Sequence, residues 1–298
     1  MIVTDEIRLE ILYERHPAGM PCLVEQYLDG REFSVEATID RGDLAFNGLT
    51  ERTTTRPPFC VGTDQRLPAD RPAAERTAAH DLLTGVVRTL GFGSGIGRLE
   101  VRIEPDGPHI MEVAVRTPDD NIMSMVQAAN GLDPYDAAIA GACGEPGTWP
   151  PLADDDASVW FSTPLPDAVT AIEGADRIAG LPGVVDMEVD VEVGGTVPPL
   201  RSSLNRVGMV IVRTDDGDTL GHHLRAVQNE LRLPVHPAEE SVQQHTVRQH
   251  TVHQDAVHQH TTHQHALNQQ TVLQQTVLQR TVLQQVVPQQ TVGEGVPA

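Results

Sequence analysis

Apolar and polar residues alternate along two segments of the chain, and each alternation surrounds a turn signal. The segment REFSVEATIDRGDLAFNGLTER alternates on both sides of DRGD, and the segment GRLEVRIEPDGPHIMEVAVR alternates on both sides of EPDGPH. Because successive side chains of a strand point to opposite faces, runs of this kind are typical of β-strands. The two segments therefore predict two β-hairpins.

Apolar residues with helical spacing separate the two hairpins. The segment AERTAAHDLLTGVVRTLGF repeats apolar residues every three or four positions, and Gly91 provides a C-terminal stop. Its apolar positions are Ala79, Leu82, Leu83, Val86, Val87 and Leu90. The segments DNIMSMVQAANG and DPYDAAIAGACG predict two further short helices. The pattern predicts an α+β fold, with an antiparallel sheet and helices packed on one side of it.

A segment rich in Pro and Asp, EPGTWPPLADDDAS, predicts a linker. It divides the chain into residues 1–150 and a smaller unit at 157–237. In the smaller unit, ASVWFS, VVDMEVDVEVGG and GMVIVRT are typical of strands, and DTLGHHLRAVQNELRL predicts a closing helix. The second unit is therefore predicted to be a small α+β domain.

From Gln244 the chain repeats a five-residue unit ten times, from QHTVR to QQTVG. A period of five places no fixed apolar stripe on a helix and changes face on a strand. A β-solenoid of five-residue units needs an apolar central position, but here Arg, His and Asn hold it before Leu appears. We therefore predict that residues 241–298 form a disordered low-complexity tail. The alternatives are a folded solenoid and a tail that binds metal through its seven His.

The charge and the basic residues limit the partners of the chain. The formal net charge is −21, which argues against a nucleic acid backbone as partner. Apolar residues make up 39% and aromatic residues 3% of the 298 residues, so the core must be aliphatic. The sequence contains no Lys, so chemistry that needs a Lys must find it outside this chain.

Cysteine usage and hydropathy predict a cytoplasmic protein. Three Cys are scattered without a CxxC pair, which indicates a reducing compartment and no zinc site. The first residues are charged throughout, unlike a signal peptide, and no apolar run approaches the ~20 residues that span a membrane. We expect no membrane partner.

The second hairpin carries two carboxylates among guanidinium groups. Glu100 shares a strand face with Arg98 and Arg102, while Glu112 shares a face of the next strand with Arg116. One interpretation is a solvated face with Arg–Glu pairs. The other is a carboxylate pair that binds Mg²⁺, with arginines that hold anionic oxygens. The spacing alone leaves both open.

Four segments together resemble a known superfamily. LVEQYLDGREFSVEA, GLTER, GRLEVRIEPDGPHIMEVAVRTP and ANGLDPYDAAIAGACG resemble the nucleotide-binding C-terminal half of ATP-grasp enzymes, over about residues 20–145. The resemblance is greatest to carboxylate–amine ligases of the L-amino acid ligase type, and residues 157–237 resemble their small C-terminal domain. It implies an ATP-grasp C-terminal subdomain, followed by the small α+β domain and the tail.

The resemblance also implies a reaction and its cofactors. Such ligases use ATP and Mg²⁺ to activate a carboxylate as an acyl phosphate, which an amine then attacks to give an amide or peptide bond. The implied substrates are a small-molecule carboxylate and a small-molecule amine, with amino acids as candidates.

The nucleotide residues are carried over from the motif E-x-Y-L. The resemblance implies that Glu25 accepts a hydrogen bond from the adenine amino group. It implies that Gln26, Tyr27 and Leu28 offer backbone groups and a wall to the ring, and that Glu32 holds the ribose hydroxyls.

The reaction residues come from the second hairpin. Glu100 and Glu112 match the two acids that bind Mg²⁺, Arg98 matches a basic residue at the acyl-phosphate site, and Arg116 matches one that contacts the phosphate. The segment TERTTTRPPFC would border the substrate, with three candidate contacts: Arg52, Arg56 and Phe59.

Three departures from the family pattern affect the expected activity. In the family, an Asn often lies two residues after the second metal acid, but here that position is Ala114. Asp119 lies where Gly is common in the family. The N-terminal half of the family, with its Lys residues and glycine-rich lid, has no counterpart in the sequence. We therefore expect a truncated form with weak or no activity alone. The alternatives are a non-catalytic or split-enzyme subunit that needs a partner chain or a second copy, and a remnant interaction protein.

Deleting residues 241–298 should leave the melting temperature of the remaining chain within about 2 °C, because the repeat has no aromatic anchor and no usable period. Thermal unfolding of the full and shortened chains measures the difference. A large loss of stability would indicate a folded solenoid instead.

Overall fold

Eight antiparallel strands form the main sheet of the computed structural model, which describes residues 23–145 and 155–236. The strands of the first described range are β1 Arg31–Asp40, β2 Asp43–Thr54, β3 Gly62–Leu67, β4 Gly95–Glu104 and β5 Gly107–Ala114. The second range adds β6 Asp156–Phe161, β8 Val184–Val189 and β10 Gly208–Thr214. Across the sheet the order is β5-β4-β1-β2-β3-β6-β10-β8.

Five α-helices and a small second sheet complete the described part of the chain. The helices are α1 Ala73–Leu90, α2 Ile122–Asn130, α3 Pro134–Ala142, α4 Ala175–Ile178 and α5 Gly217–Glu230. The small sheet has the order β11-β7-β9, with β7 Asp167–Val169, β9 Thr196–Val197 and β11 Val235–His236. A 3₁₀ turn spans Ser203–Asn205. None of the helices in these ranges is long and apolar enough to cross a membrane.

Both predicted hairpins are confirmed. β1 and β2 pair around Arg41 and Gly42, which adopt the left-handed φ values of 52° and 85° that a tight turn requires. β4 and β5 pair around the turn that precedes Gly107. The alternation sorts the side chains of β1 so that Phe33 and Val35 are buried in the aliphatic core.

The predicted long helix is confirmed as α1. It ends at Gly91, whose φ of 69° places it in the left-handed region that favours glycine, so the predicted stop is correct. Its buried side chains are Ala79, Leu83, Val86 and Val87, which pack on the apolar face of β1, β4 and β5. The two short helices predicted after the second hairpin are also present as α2 and α3.

Helices cover both faces of the main sheet, which corrects the expectation that they lie on one side. α1 and α5 pack on one face, against Val35 of β1 and Val210 of β10 respectively. α2 packs on the other face, where Met125 contacts the cluster that contains Val159 and Ile211. Local patterns give the buried stripe of each helix but not the face of a sheet on which it packs.

The segments on either side of the predicted linker share the main sheet. β3 pairs with β6, with Gln65 opposite Val159 and Leu67 opposite Ala157. The strands of 155–236 therefore extend the sheet of 23–145, and the division at residues 150 and 157 stays a prediction. The predicted tail at 241–298 lies outside the described residues.

The backbone just before β1 lies against the end of β4, and this close contact requires a glycine. A Cβ on Gly30 would lie 2.4 Å from the carbonyl oxygen of Ile103, which is too close for any side chain. The missing side chain therefore lets the chain before β1 lie against the last residues of β4.

Replacing Gly30 by Ala should lower the free energy of unfolding by roughly 1–3 kcal/mol, because the backbone of β4 has to move. Gly93→Ala is the matched control, since no atom lies within 4 Å of its Cβ position. Chemical denaturation of the two variants measures the difference, and equal effects would contradict this account of Gly30.

Candidate functional site

The face of β1 and β4 opposite α1 carries a band of charged and polar side chains. Acids of β1 lie directly opposite arginines of β4, since Glu32 pairs with Arg102 and Glu36 with Arg98. Opposite charges across neighbouring strands stabilise the pairing. The polar band also contains Ser34, Thr50, Arg52, Gln65, Glu100 and Glu112.

Glu36 is a fully buried carboxylate at the centre of the polar band. Its side chain is 1% exposed and accepts hydrogen bonds from the hydroxyls of Ser34 and Thr50, the latter at 2.7 Å. Arg98 Nε lies 3.9 Å from Glu36 Oε1. Burial raises the pKa of Glu36, while Arg98 and the two hydroxyls oppose the shift. Sequence reasoning assigned no role to Glu36, although its spacing from Glu32 placed it on the same strand face.

The structure brings the predicted metal acids together. Glu100 and Glu112 are directly opposite partners of β4 and β5. Arg98 Nη2 lies 2.9 Å from Glu100 Oε1, and the carboxylates of Glu36, Glu100 and others outweigh burial and raise the pKa of Arg98. Burial, and then the neighbouring charge of Glu100, raise the pKa of Glu112. Two adjacent carboxylates that repel each other are a donor set suited to a divalent cation.

A β-bulge sets the register of this acid pair. Val101 lies opposite Ile110 but Glu100 lies opposite Glu112, so β5 contains one extra residue, Met111, at this point. Glu112 consequently faces the polar band.

Arg116 follows β5 and lies beside the acid pair. Its Nη2 is 4.0 Å from Glu112 Oε1, and its Nη1 is 3.3 Å from Asp119 Oδ2. Nη1 also donates a hydrogen bond to the carbonyl oxygen of Thr117 at 3.0 Å. The side chain is 40% exposed, so Arg116 is accessible to a ligand beside Glu112.

Arg102 ties the predicted nucleotide segment to the sheet. Its Nη1 donates to the carbonyl oxygen of Leu28 at 2.7 Å, and its guanidinium lies 5.4 Å from the ring centroid of Tyr27. Glu25, Gln26 and Tyr27 are exposed and Leu28 is half-buried. The predicted adenine residues therefore lie at one edge of the polar band, and their role stays a prediction.

Glu32 lies between two arginines. Its Oε1 is 2.9 Å from Arg52 Nη1, and its Oε2 is 3.1 Å from Arg102 Nη2. Each oxygen thus has a guanidinium partner and one remaining acceptor direction for a ribose hydroxyl. Of the looser substrate candidates, Arg52 belongs to the polar band, whereas Arg56 and Phe59 are exposed on the loop after β2.

Asp120 is a site residue that sequence reasoning missed. Its carboxylate lies 3.0 Å from Arg206 Nη2 and 3.7 Å from Arg52 Nη2, and it accepts a 3.4 Å hydrogen bond from Gln65 Nε2. Asp120 and Asn121 have φ values of 63° and 57°, a conformation that costs roughly 1–3 kcal/mol at a non-glycine residue. The sequence signal is weak, because Asp119 and Asp120 form an ordinary acidic pair in the printed chain.

Two other surface features lie apart from the polar band. Glu104, Asp106 and His109 place possible metal ligands within 4.8 Å of one another at the β4–β5 turn. There His109 Nε2 lies 2.8 Å from Asp106 Oδ1, so an exposed side-chain hydrogen bond accounts for the cluster. A surface cavity of about 390 Å³ lies between Asp155 and Arg213, and none of the predicted site residues lines it.

Part of the chain is similar to a known family model. Residues 159–236 match the family model of the L-amino acid ligase C-terminal domain 2. An uncharacterised protein of Sinorhizobium fredii, y4rH, is 28% identical over 190 residues, which are 63% of this chain and 39% of y4rH. Carnosine synthase 1 of Gallus gallus is 26% identical over 132 residues, 44% of this chain and 14% of that protein.

Solved structures share the fold over most of the chain. L-amino acid ligase from Bacillus licheniformis superposes with a TM-score of 0.66 at 19% identity, covering 78% of this chain and 60% of that one. Phosphoribosylglycinamide synthetase from Anaerococcus prevotii gives a TM-score of 0.61 at 14% identity, covering 78% and 61%. The chain thus spans less than two thirds of each of these four proteins.

Glu112→Gln should stabilise the metal-free chain at pH 7.5 by about 1–3 °C in melting temperature. The pKa of Glu112 is raised above its usual 4.5, so ionising it in the folded chain costs free energy. That cost is absent below pH 4.5 and grows as the pH rises above it, so the gain should vanish near pH 4.

Thermal unfolding of parent and variant at the two pH values measures this effect. Glu51→Gln is the charge-loss control, because Glu51 lies on β2, is paired with Arg31 and shares the α1 face with Phe33. If Glu112→Gln were less stable than the parent at pH 7.5, Glu112 would be a structural partner of Arg116.

Proposed function

We propose that this chain, which has an ATP-grasp carboxylate–amine ligase-like fold, takes part in ATP-dependent amide or peptide bond formation between a carboxylate and an amine. The observation that carries the proposal is the pair of Glu100 and Glu112, with Arg98 and Arg116 on either side of it. A solvated ladder of Arg–Glu pairs would not bury Arg98 or place two carboxylates directly opposite each other.

Glu100 and Glu112 would hold Mg²⁺. Their side chains are 20% and 36% exposed, so a hydrated ion can reach them. The missing Asn at Ala114 is compatible with Mg²⁺, which usually keeps several waters. When bound, Mg²⁺ lowers the negative charge that the phosphate oxygens of ATP present to the attacking carboxylate.

Arg98 and Arg116 would stabilise the anionic oxygens of the reacting phosphoryl group and of the acyl phosphate. A fixed positive charge is worth most where water is excluded, and Arg98 is almost fully buried. The side chain of Arg116 can adjust to a ligand, because it is 40% exposed. Since the sequence contains no Lys, these arginines supply the positive charge on this side of the site.

The segment from Glu25 to Leu28 would hold adenine, and Glu32 would hold the ribose hydroxyls. Arg102 supports both assignments, because it binds the carbonyl oxygen of Leu28 and one oxygen of Glu32. It therefore fixes the two parts of the nucleotide site relative to each other before any ligand binds.

Small amino acids are the proposed substrate class. The proposal rests on the match of residues 159–236 to an L-amino acid ligase domain and on the likeness to carnosine synthase. The free thiols of Cys60 and Cys143 support a cytoplasmic location. A second candidate function is a subunit that acts with a partner chain or a second copy, which the absence of Lys from the sequence favours.

Calorimetry with ATP, with and without Mg²⁺, tests the site. The parent should bind ATP in a Mg²⁺-dependent manner, and Glu100→Gln or Glu112→Gln should weaken that binding at least about tenfold, or roughly 1.4 kcal/mol. Glu51→Gln, on the opposite face of the sheet, should change the affinity less than about twofold. Affinity that is the same without Mg²⁺, or unchanged in both variants, would exclude a metal role for this pair.

A further inference from the structure

Asp120 contacts polar side chains from three separate parts of the fold. Arg206 lies just before β10, Arg52 lies on β2 and Gln65 lies on β3. Their nitrogen atoms are 3.0, 3.7 and 3.4 Å from the carboxylate of Asp120. Its side chain is 16% exposed and that of Arg206 is 6% exposed. A charged pair this far from water is stable only while both partners are present.

Arg206 is held on two sides. Its guanidinium carbon lies 3.9 Å from the ring centroid of Phe161, which is within the range of a cation–π contact. Among residues 23–145 and 155–236, Asp120 is the one carboxylate within 4 Å of Arg206. The planar guanidinium can stack on the ring and keep Nη2 beside Asp120 at the same time, which an ammonium group cannot do.

Asp120 lies in a turn that its long-range contacts restrain. Asp120 and Asn121 adopt consecutive left-handed conformations at the start of α2. The side chain of Asn121, the N-cap residue, makes no capping hydrogen bond. Such a backbone persists when its surroundings hold it, and here the contacts from Arg206, Arg52 and Gln65 provide that restraint.

The turn lies directly after Arg116. The four residues before Asp120 contain Arg116 and Asp119, and Arg116 contacts both Asp119 and Glu112. The negative charge of Asp120 is also one of those that raise the pKa of Arg98. A displacement of the turn would therefore move Arg116 away from Glu112.

We propose that Asp120 and Arg206 are positioning residues, which hold the loop of residues 116–121 so that Arg116 stays beside Glu112. This inference rests on the proposed function for its consequence in the reaction. The loop follows β5, whereas Arg206 belongs to the segment that matches the L-amino acid ligase C-terminal domain 2. The arrangement of the reaction site therefore depends on a contact supplied from that segment.

Amide hydrogen exchange of the full chain without ligands tests the restraint. Asp120→Asn and Arg206→Met should each speed exchange at residues 117–125 about tenfold and leave the amides of β1 and β4 unchanged. The double variant should exchange no faster than the single variants, because each removes the same contact. Arg206→Lys, a milder variant that keeps the charge, should also speed exchange.

Arg66→Met is the matched control. Arg66 Nη2 lies 2.8 Å from Asp156 Oδ1 and forms another ion pair between the ranges 23–145 and 155–236, away from the loop. This variant should leave exchange at residues 117–125 unchanged. Equal effects of Arg66→Met and Arg206→Met would overturn the inference, since any weakened contact between the two ranges would then suffice. Unchanged exchange in Asp120→Asn would overturn it as well.

Product formation from ATP and amino acids tests the consequence for the reaction. Asp120→Asn and Arg206→Met should lower kcat roughly 10- to 100-fold and change the KM for ATP less than about threefold, because Arg116 is displaced while the nucleotide segment is not. An unchanged kcat in an active parent would overturn the inference. If the parent forms no product, the proposed function fails, and hydrogen exchange alone decides whether the contact holds the loop.

Discussion

Compensation of buried charge is the constraint on which the site depends. Within the polar band, Glu32 and Glu36 of β1 lie opposite Arg102 and Arg98 of β4, and each is too buried to be stable without its partner. The pairing of β1 with β4 therefore sets the register of the strands and the positions of the charged groups together. A one-residue slip of β1 against β4 would place Glu32 and Glu36 in the aliphatic layer beneath α1.

The two faces of the main sheet differ in composition because of this constraint. Next to α1 the side chains of β1 and β4 are aliphatic, and their burial stabilises the fold. On the opposite face α2 and α3 cover the middle of the sheet, and the polar band remains beside them. The charged groups thus lie on strands rather than on loops, which favours fixed geometry at the site.

Sequence periodicity predicted the parts of the site that lie within one hairpin. The alternation around EPDGPH predicted the hairpin and placed Arg98 and Glu100 on one face of its first strand. Register carried from the turn would pair Glu100 with Met111, so the bulge that brings Glu112 opposite Glu100 was not predicted. Residues brought in by long-range contacts could not be found this way. Asp120 and Arg206 meet through strand pairing of β3 with β6, and β3 itself, GTDQRL, lacks the alternation that would have predicted it. The face of the sheet on which α2 packs was missed for the same reason.

The bulge at Met111 in β5 decides the face of the sheet to which Glu112 points. Ile110 and Val113 both pack towards α1, although they are three positions apart and a regular strand would place them on opposite faces. The bulge absorbs the extra residue Met111, so that Glu112 faces the polar band. In genetic terms, loss of the Met111 codon would give a regular strand in which Glu112 still lies opposite Glu100. An alignment of relatives should therefore allow a one-residue gap in this hairpin when it compares the two acids.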